Sequence, residues 1–399
     1  MNSPTPAEPK EPPAHTRPGR KPVGSVVAPV KRAALFMTIT VSVFLLVEGC
    51  SSTLLALREW TQRSSGSTIR HYDPLLGWVT DTSLSRPQLW NGSGLHTNSQ
   101  GFRGRSEIAD RIPAGRIRIL CSGDSFAFGE QVGDDEAWCQ LLTRQDQRLE
   151  TVNFGLSGYG IDQAYLRYVR DTAPLDYDIH LFTFISADFT RVGKRDHHGY
   201  AKPYFKLEDD TLVVEGVPVP RALPKLTRFS TWMSQHVRSL ELGSRIARRI
   251  TGTISSQPAS RSERMELERE RIAPLTKQVF RQVQQLNEEK NSVAVFVYLP
   301  LEQEFDETLP WADSCEACET WRPWVGAVMD SLGYNFIDLT PALRQVPWDE
   351  AIGFFIPGDG HYSAAGNAWV AETLYDHLRS VPGVASLLES PEDSADGAN

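Results

Sequence analysis

Short apolar runs alternate with amphipathic stretches along the last three quarters of the chain. The apolar runs predict five strands, in RIRILCS, ETVNFG, YDIHLFTFIS, SVAVFVYLP and YNFIDL. Helices are predicted in DDEAWCQLLTRQ, GIDQAYLRYVRD, MELERERIAPLTKQVFRQVQQLNEEK, CETWRPWVGAVMDSLG and SAAGNAWVAETLYDHLRS. The third strand is apolar at nearly every position, which is typical of a strand covered on both faces. This repetition predicts an α/β fold, a three-layer α/β/α sandwich around a five-stranded parallel sheet.

The alternation predicts one domain over residues 115–385, interrupted by an insertion at about 190–262. The insertion contains KPYFKLEDDTLVVEGVPVPR, which predicts a small hairpin, and the basic stretch RSLELGSRIARRI. Such an insertion over the strand ends is a natural place for a lid or a substrate surface. Residues 58–114 are rich in turn formers, so we expect an extended segment that packs on the domain edge. The acidic tail over residues 386–399 is predicted to be disordered.

The N-terminal part of the chain has a different pattern. Residues 1–31 are rich in proline and charge, so they predict a disordered cytoplasmic tail. Residues 32–57 are apolar, with Glu48 as the one charge between the flanking arginines. This length matches a membrane span of about 20 residues and predicts a transmembrane signal-anchor helix. Basic residues precede the span, so the domain is predicted to lie outside the cytoplasm, periplasmic or extracellular. The alternative is a lipoprotein anchored at Cys50.

Charge and cysteine content limit the choice of partner. The net charge is −9 and no concentrated basic face follows the N-terminal tail, so nucleic acid is not an expected partner. Cys315 and Cys318 form a lone CxxC, and outside the cytoplasm we expect these two cysteines to form a local disulfide. Cys121 and Cys139 fit small buried hydrophobic positions.

The most unusual local sequences follow the predicted strands. Gly123-Asp124-Ser125 comes directly after the first strand, NFGLSGYG contains the second strand's end, and GDGHYSAAG precedes the last helix. Ligands bind at the carboxyl ends of strands in an open parallel sheet, so these loops should converge. A serine, a histidine and a carboxylate on adjoining loops can supply a nucleophile, a base and its orienting group. The candidate residues are therefore Ser125, His361 and Asp359.

These three segments resemble blocks one, two and five of the SGNH, or GDSL-type, hydrolases, and the resemblance covers roughly residues 115–382. It implies a flavodoxin-like sheet order, Ser125 as nucleophile, His361 as base and Asp359 as its partner. It also implies an oxyanion hole formed by the backbone N–H groups of Ser125 and Gly158. One position departs from the family pattern. Ala187 stands where block three usually carries an asparagine whose side chain is a third oxyanion donor. Either the two backbone donors suffice, or another side chain such as Ser186 substitutes, or the activity is weak or lost.

The resemblance implies a serine esterase that needs no metal or organic cofactor. With the predicted location outside the cytoplasm, the expected substrate is an acylated carbohydrate, principally an O-acetyl ester, or another small ester. One alternative is an O-acyltransferase that modifies an envelope or secreted polysaccharide, because the two-residue spacing of Asp359 and His361 is similar to that in polysaccharide-acetylating members. The other alternative is a non-catalytic binding or scaffold protein of the same fold, which Ala187 favours. The membrane is expected as a partner through the N-terminal helix.

Overall fold

The computed structural model describes residues 31–32, 35–46, 48–49, 69–90, 93–197, 199–221, 261–305 and 315–389. The chain divides into two compact units, Met1–Ala56 and Leu57–Asn399. In the first unit, residues 35–46 are helical. Among the helices in the described ranges, none combines the length and the apolar character that a bilayer span requires. Cys50, residues 1–30, the basic stretch of the predicted insertion and residues 390–399 lie outside the described residues.

The elements of the second unit follow the predicted alternation. The strands are β1 (Arg70–Asp73), β2 (Gly77–Thr80), β3 (Ser85–Trp90), β4 (Ser93–His96), β5 (Ile117–Ser122), β6 (Leu149–Asn153), β7 (Ile179–Phe184), β8 (Asp196–His197), β9 (Tyr200–Ala201), β10 (Tyr204–Glu208), β11 (Thr211–Glu215), β12 (Val293–Tyr298) and β13 (Phe336–Asp338). The helices are α1 (Ser125–Phe128), α2 (Trp138–Gln145), α3 (Ile161–Asp171), α4 (Ser186–Arg191), α5 (Arg261–Glu289), α6 (Glu316–Leu332), α7 (Thr340–Leu343), α8 (Trp348–Ala351), α9 (Ala364–Leu378) and α10 (Pro382–Leu388).

The central sheet has five parallel strands in the order β13-β12-β7-β5-β6, which confirms the predicted sheet. In chain order of the five strands this is the 2-1-3-4-5 arrangement of flavodoxin-like folds. The chain leaves β5 to form β6 on one side and then crosses to form β7 on the other. The strand connections therefore diverge at β5, and the crevice at its carboxyl end is where this class of sheet places ligands.

Helices cover both faces of this sheet because alternate strand residues point to opposite faces. On one face Ile179 and Leu181 of β7 pack in a cluster with residues of α2, α9 and α10. On the other face Phe182 and Phe184 of the same strand pack with residues of α3, α5 and α6. Both faces of β7 are buried, which explains why four of its six residues are apolar.

Four two-stranded hairpins lie outside the central sheet in the described residues. β1 pairs with β2 and β3 with β4 in the segment before the sheet, and β8 pairs with β9 and β10 with β11 after α4. The β10–β11 hairpin is the one that the sequence of the insertion predicts. Hydrogen bonds from β2 to the loop after β6, described below, bring the first hairpin to the candidate site.

Two disulfides are present in the described chain. The predicted local bond joins Cys315 to Cys318. The interpretation of Cys121 and Cys139 as unpaired buried hydrophobic residues is wrong, because their sulfurs are bonded to each other. Cys121 lies on β5 and Cys139 on α2, with Cα atoms 6.3 Å apart, so the bond ties the first strand of the sheet to the helix that covers it.

We predict that the Cys121–Cys139 bond stabilises the fold more than the Cys315–Cys318 bond does. Removing a disulfide releases conformational entropy to the unfolded chain, and the effect grows with the length of the closed loop. The sequence separations are 18 and 3 residues. Replacing Cys121 and Cys139 by alanine should lower the free energy of unfolding by about 2–4 kcal/mol, as measured by denaturant titration of the full-length chain.

The matched control is the double alanine variant at Cys315 and Cys318. Its loss should be about 1 kcal/mol smaller, since a shorter loop is opened. Equal losses in the two variants, or a larger loss in the control, would contradict the prediction.

Candidate active site

The structure brings Ser125, Asp359 and His361 together at the carboxyl end of β5. Ser125 is the first residue of α1, and the Asp124 side chain accepts a hydrogen bond from the Phe126 N–H, which fixes the start of this short helix. His361 lies in the loop before α9, 236 positions further along the chain, and the fold returns that loop to the same edge of the sheet. The strand connections leave β5 in opposite directions, and in such a sheet the loops that form a binding site are expected to meet at the carboxyl end of that strand.

The three side chains form a continuous hydrogen-bonded chain. His361 Nε2 lies 2.8 Å from Ser125 Oγ, and His361 Nδ1 lies 2.5 Å from Asp359 Oδ1. A carboxylate can only accept, so Nδ1 carries the ring proton and Nε2 is left as the acceptor for the serine hydroxyl. Ser125 is 5% exposed and the His361 side chain 22% exposed, so the pair is sheltered and still open to solvent on one side. The arrangement can move a proton from the hydroxyl to the imidazole.

Backbone and ring contacts hold the imidazole in this position. The Ile356 N–H donates to the His361 carbonyl over 2.8 Å, and the loop between them turns through Gly358 and Gly360, both in the left-handed region of φ. The Phe126 ring packs against the imidazole with centroids 5.0 Å apart. The base is therefore oriented by contacts on its backbone and on its ring face, besides its bond to the aspartate.

Charges around the imidazole favour its protonated form. Burial lowers the pKa of His361, but the hydrogen bond to Asp359 and the nearby charges of Glu130, Asp359 and Asp124 outweigh burial, and the net pKa is raised. The hydrogen bond from His361 in turn holds the pKa of Asp359 below its usual value. The aspartate thus stays ionised and can stabilise a protonated imidazole.

A second serine–histidine pair lies three residues earlier, and its surroundings differ. Ser122 Oγ is 2.8 Å from His180 Nε2, and both side chains are fully buried. The Asn287 amide donates to His180 Nδ1 over 3.2 Å, so Nε2 carries the ring proton and donates it toward Ser122. Burial lowers the pKa of His180 to about 3, so this ring stays neutral. His180 therefore cannot act as a base toward Ser122, whereas His361 can toward Ser125.

The predicted oxyanion loop packs directly on the loop that carries the serine. The Leu156 N–H donates to the Gly123 carbonyl over 3.1 Å. Gly158 has a φ of +80°, and a Cβ atom there would lie 3.2 Å from the His197 ring. Among the described residues, the Gly158 and Ser125 N–H groups have no hydrogen-bond acceptor. Both predicted donors are therefore available to a ligand.

The helix that carries Ala187 at the usual asparagine position also carries part of a buried cluster of charged side chains. Ala187 is half-buried on α4, and the next residue, Asp188, is 2% exposed. Arg191 Nη1 lies 2.6 Å from Asp188 Oδ1 and 3.2 Å from Asp124 Oδ2. Burial, followed by the charge on Asp124, raises the pKa of Asp188 well above its usual range, although Arg191 opposes the shift.

Three side chains that sequence reasoning did not single out hold the site loops. Arg70 Nη2 donates to Ser157 Oγ over 2.7 Å, and Trp78 Nε1 donates to the Ser157 carbonyl over 3.1 Å. Gln131 Nε2 donates to Asp359 Oδ2 over 3.1 Å. Arg70 and Trp78 precede Ser157 by 87 and 79 positions, so no local pattern in the sequence connects them. Asp188 and Arg191 lie three apart on α4, a spacing that pairs side chains on a helix, but no helix is predicted from the sequence at these residues.

A separate groove of about 790 Å³ lies beside the β3–β4 hairpin and contains no triad residue. It is lined mainly by charged and polar side chains, including His96, Arg103, Asp134 and Arg144. Within the part of the chain that the structure describes, no group of three or more His, Cys, Asp or Glu side chains is arranged to hold a metal ion. Ser125, Asp359 and His361 are thus not among the residues that line this groove.

No protein-family model and no curated protein matches the sequence. Solved structures that match include a lipolytic protein of the G-D-S-L family from Veillonella parvula, 12% identical with a TM-score of 0.35, covering 65% of this chain and 97% of that chain. A catalytic mutant of an acetylxylan esterase from Geobacillus stearothermophilus is 12% identical with a TM-score of 0.35, covering 65% and 93%. The acetyl xylan esterase AlAXEase is 12% identical with a TM-score of 0.36, covering 65% and 99%. The chain is similar to these proteins, and the G-D-S-L description is that of the family its motifs resemble.

We predict that His361 titrates above the usual histidine pKa of about 6.5 and that Asp359→Asn lowers this value. The amide removes the charge and the strong acceptor that favour the imidazolium, so the ring loses its proton at a lower pH than in the wild-type protein. The measurement is an NMR titration of the ring Cε1–H resonances in the full-length chain, with the His361 resonance assigned by substitution.

The matched control is Asp81→Asn, which removes the carboxylate 2.9 Å from His71 Nδ1 in a comparable pair away from the site. This variant should leave the titration of His361 unchanged. If Asp359→Asn left that titration unchanged, or raised the pKa, the hydrogen-bonded pair described above would be wrong.

Proposed function

We propose that the protein is a serine esterase of SGNH type that acts on O-acyl, principally O-acetyl, esters of a carbohydrate. The observation that carries the proposal is the hydrogen-bonded chain from Ser125 through His361 to Asp359 at the carboxyl end of the central strand. The three motifs that resemble blocks one, two and five of that family support it, because each contributes a residue or a donor to this one crevice.

The first half of the reaction forms an acyl-enzyme. Ser125 Oγ attacks the ester carbonyl carbon while His361 Nε2 takes the hydroxyl proton, and the carbonyl oxygen becomes an oxyanion. The N–H groups of Ser125 and Gly158 are the donors that this oxyanion would meet. His361 then gives its proton to the departing alcohol oxygen as the carbon–oxygen bond breaks. The imidazolium that exists between these two steps is stabilised by Asp359.

The second half releases the acyl group. His361 Nε2 takes a proton from a water molecule, whose oxygen attacks the acyl carbon, and the second oxyanion is held by the same two donors. The imidazolium returns the proton to Ser125 Oγ as the serine ester bond breaks. One water is consumed and one carboxylic acid is formed, so the reaction needs no cofactor.

The surroundings of the oxyanion loop support a polar, ring-shaped substrate. Tyr200 is 53% exposed and lies against Trp78, with ring centroids 5.9 Å apart, and Trp78 contacts the position of Gly158. An exposed aromatic face with a polar end offers a surface on which a sugar ring can stack. Arg70 and Glu130, which lie 3.9 Å apart, add hydrogen-bonding groups for hydroxyls. The predicted location outside the cytoplasm, with an N-terminal anchor, is part of the proposal and fits a substrate in the cell envelope or a secreted polysaccharide.

The second candidate function is an O-acyltransferase, in which a sugar hydroxyl replaces water in the second half-reaction. The two-residue spacing of Asp359 and His361 favours it. At this spacing Asp359 Oδ1 lies 2.5 Å from His361 Nδ1 and also accepts from the His361 N–H over 3.3 Å. Both candidates share the acyl-enzyme and differ only in the acceptor.

The test measures release of acetate from 4-nitrophenyl acetate and from an O-acetylated oligosaccharide by the full-length protein. Ser125→Ala should lower kcat at least about 10³-fold, because the nucleophile is lost. The matched control is Ser122→Ala, which removes the hydroxyl of the buried pair. It should keep kcat within about threefold while lowering the free energy of unfolding by about 1–3 kcal/mol, because His180 loses a buried partner.

Adding an unacetylated oligosaccharide decides between water and sugar as the acceptor. Acetyl transfer to it at a rate above hydrolysis would assign the transferase; acetate release alone would assign the esterase. A folded wild-type protein with no activity that depends on Ser125 would contradict both the esterase and the acyltransferase candidates and leave the non-catalytic alternative.

A further inference from the structure

The site lacks the third side-chain donor that the resemblance leads one to expect, and Arg191 lies one helical turn after the position concerned. Residues four apart on a helix share a face, so Ala187 and Arg191 lie on the same side of α4. Helical side chains lean toward the preceding turn. Because alanine ends at Cβ, it brings no hydrogen-bonding group to this face of the helix, whereas Arg191 does.

The guanidinium of Arg191 touches both loops of the predicted oxyanion hole. Its Nη1 donates to the Tyr159 carbonyl over 2.7 Å and to Asp124 Oδ2 over 3.2 Å. Tyr159 follows Gly158, and Asp124 precedes Ser125, so each contact lies one residue from a predicted oxyanion donor. A single nitrogen thus links the two backbone segments whose N–H groups must point at the same atom.

The cluster is buried and keeps its cation. Burial lowers the pKa of Arg191, but the charges of Asp188 and Asp124 outweigh burial and raise it. Asp124 Oδ2, which accepts from Arg191, also lies 3.4 Å from Ser125 Oγ, so one carboxylate oxygen separates the cation from the nucleophile. Among the described residues, the other guanidinium nitrogens have no hydrogen-bond acceptor, and the Arg191 side chain is 14% exposed.

Contacts with neighbouring residues restrict the position of Arg191. A Cβ atom at Gly160 would lie 2.8 Å from Arg191 Cβ, so glycine is required where the oxyanion loop passes α4. Lys202 Nζ, from the segment after β9, donates to the Arg191 carbonyl over 3.2 Å and pairs with Asp162. Packing on the backbone and hydrogen bonds at the guanidinium therefore fix both ends of the side chain.

We propose that Arg191 is a positioning residue that compensates for the side-chain oxyanion donor that is absent at Ala187. It holds the Ser125 and Gly158 N–H groups in one orientation and places a positive charge behind them, so that it stabilises the oxyanion and not the bound ester. This inference rests on the proposed serine-hydrolase function. The inference adds to that function one side chain, Arg191, which compensates for the asparagine that is absent at position 187.

The experiment compares Arg191→Met with Arg118→Met in the full-length protein, using 4-nitrophenyl acetate. Arg118 is also fully buried, pairs with Glu150 and donates to backbone carbonyls, but it lies near the start of β5, at the end opposite Ser125. Arg191→Met should lower kcat about 10²-fold, the effect of losing one oxyanion donor, with KM nearly unchanged. Arg118→Met should lower the melting temperature and leave the kcat of the folded protein unchanged.

Two further variants separate a positioning role from a general loss of packing. Arg191→Lys keeps the positive charge and one donor nitrogen, so it should recover part of the lost kcat. The double variant Ala187→Asn with Arg191→Met restores an amide donor where the resemblance places it, and it should recover about tenfold in kcat over Arg191→Met. If Arg191→Met does not fold, Arg191→Lys alone and combined with Ala187→Asn give the same comparison.

The inference is overturned if Arg191→Met and Arg118→Met have the same kcat as wild type, if the loss lies in KM, or if neither further variant recovers activity. The wild-type protein reports on the proposed function separately. If it has no activity that depends on Ser125, the proposed function fails and this inference fails with it; if it has such activity and the Arg191 variants behave like the control, only this inference fails.

Discussion

The site depends on how closely two loops approach each other at the carboxyl end of β5. A Cβ atom at Gly123 would lie 2.5 Å from Thr183 Oγ1, and one at Gly155 would lie 2.6 Å from the Phe128 nitrogen. No side chain fits at either position. Gly123 lets the loop after β5 pass close to β7, and Gly155 lets the loop after β6 pack against the backbone of α1, where the Leu156 N–H donates to the Gly123 carbonyl. That contact brings Ser125 and Gly158 into one crevice. The triad, the predicted oxyanion donors and the Arg191 link all require it.

Burial and hydrogen bonding then decide which serine can react. Ser122 and Ser125 have the same distance to a histidine nitrogen, 2.8 Å, and differ in what the other ring nitrogen meets. An amide donor leaves His180 with its proton directed at the serine, whereas a carboxylate acceptor leaves His361 ready to take one. A serine–histidine distance alone therefore does not identify a catalytic pair. The partner of the second nitrogen does.

The charges beneath the site are better explained by function than by stability. Taking Asp124, Asp188 and Arg191 out of water carries a large desolvation cost, and such buried ion sets are often no more stabilising than apolar residues of the same size. Their position between the serine loop and the oxyanion loop gives them a use that an apolar cluster would not have. A fixed charge in a sheltered site acts more strongly on a developing oxyanion than it would in water.

The sheet and the triad could be predicted from sequence because both are recorded in local patterns. Five apolar runs separated by amphipathic stretches define the strands, and three short motifs carry Ser125, Gly158 and the Asp359–His361 pair. The bond between Cys121 and Cys139 was missed because the pattern shows each cysteine as apolar and does not show that β5 and α2 face each other. Trp78 was missed for a related reason, since its contact with the oxyanion loop spans 79 positions and depends on where the hairpin packs.

The central claim is that the surroundings of Ser125 make its hydroxyl a nucleophile. The most direct measurement is covalent labelling of the full-length protein with a fluorophosphonate, followed by intact-mass analysis and peptide mapping. We expect one adduct per molecule, located on Ser125, at a rate that falls as His361 becomes protonated, and we expect no adduct in His361→Ala. A folded protein that takes up no label, or that is labelled elsewhere with Ser125 unmodified, would contradict this claim.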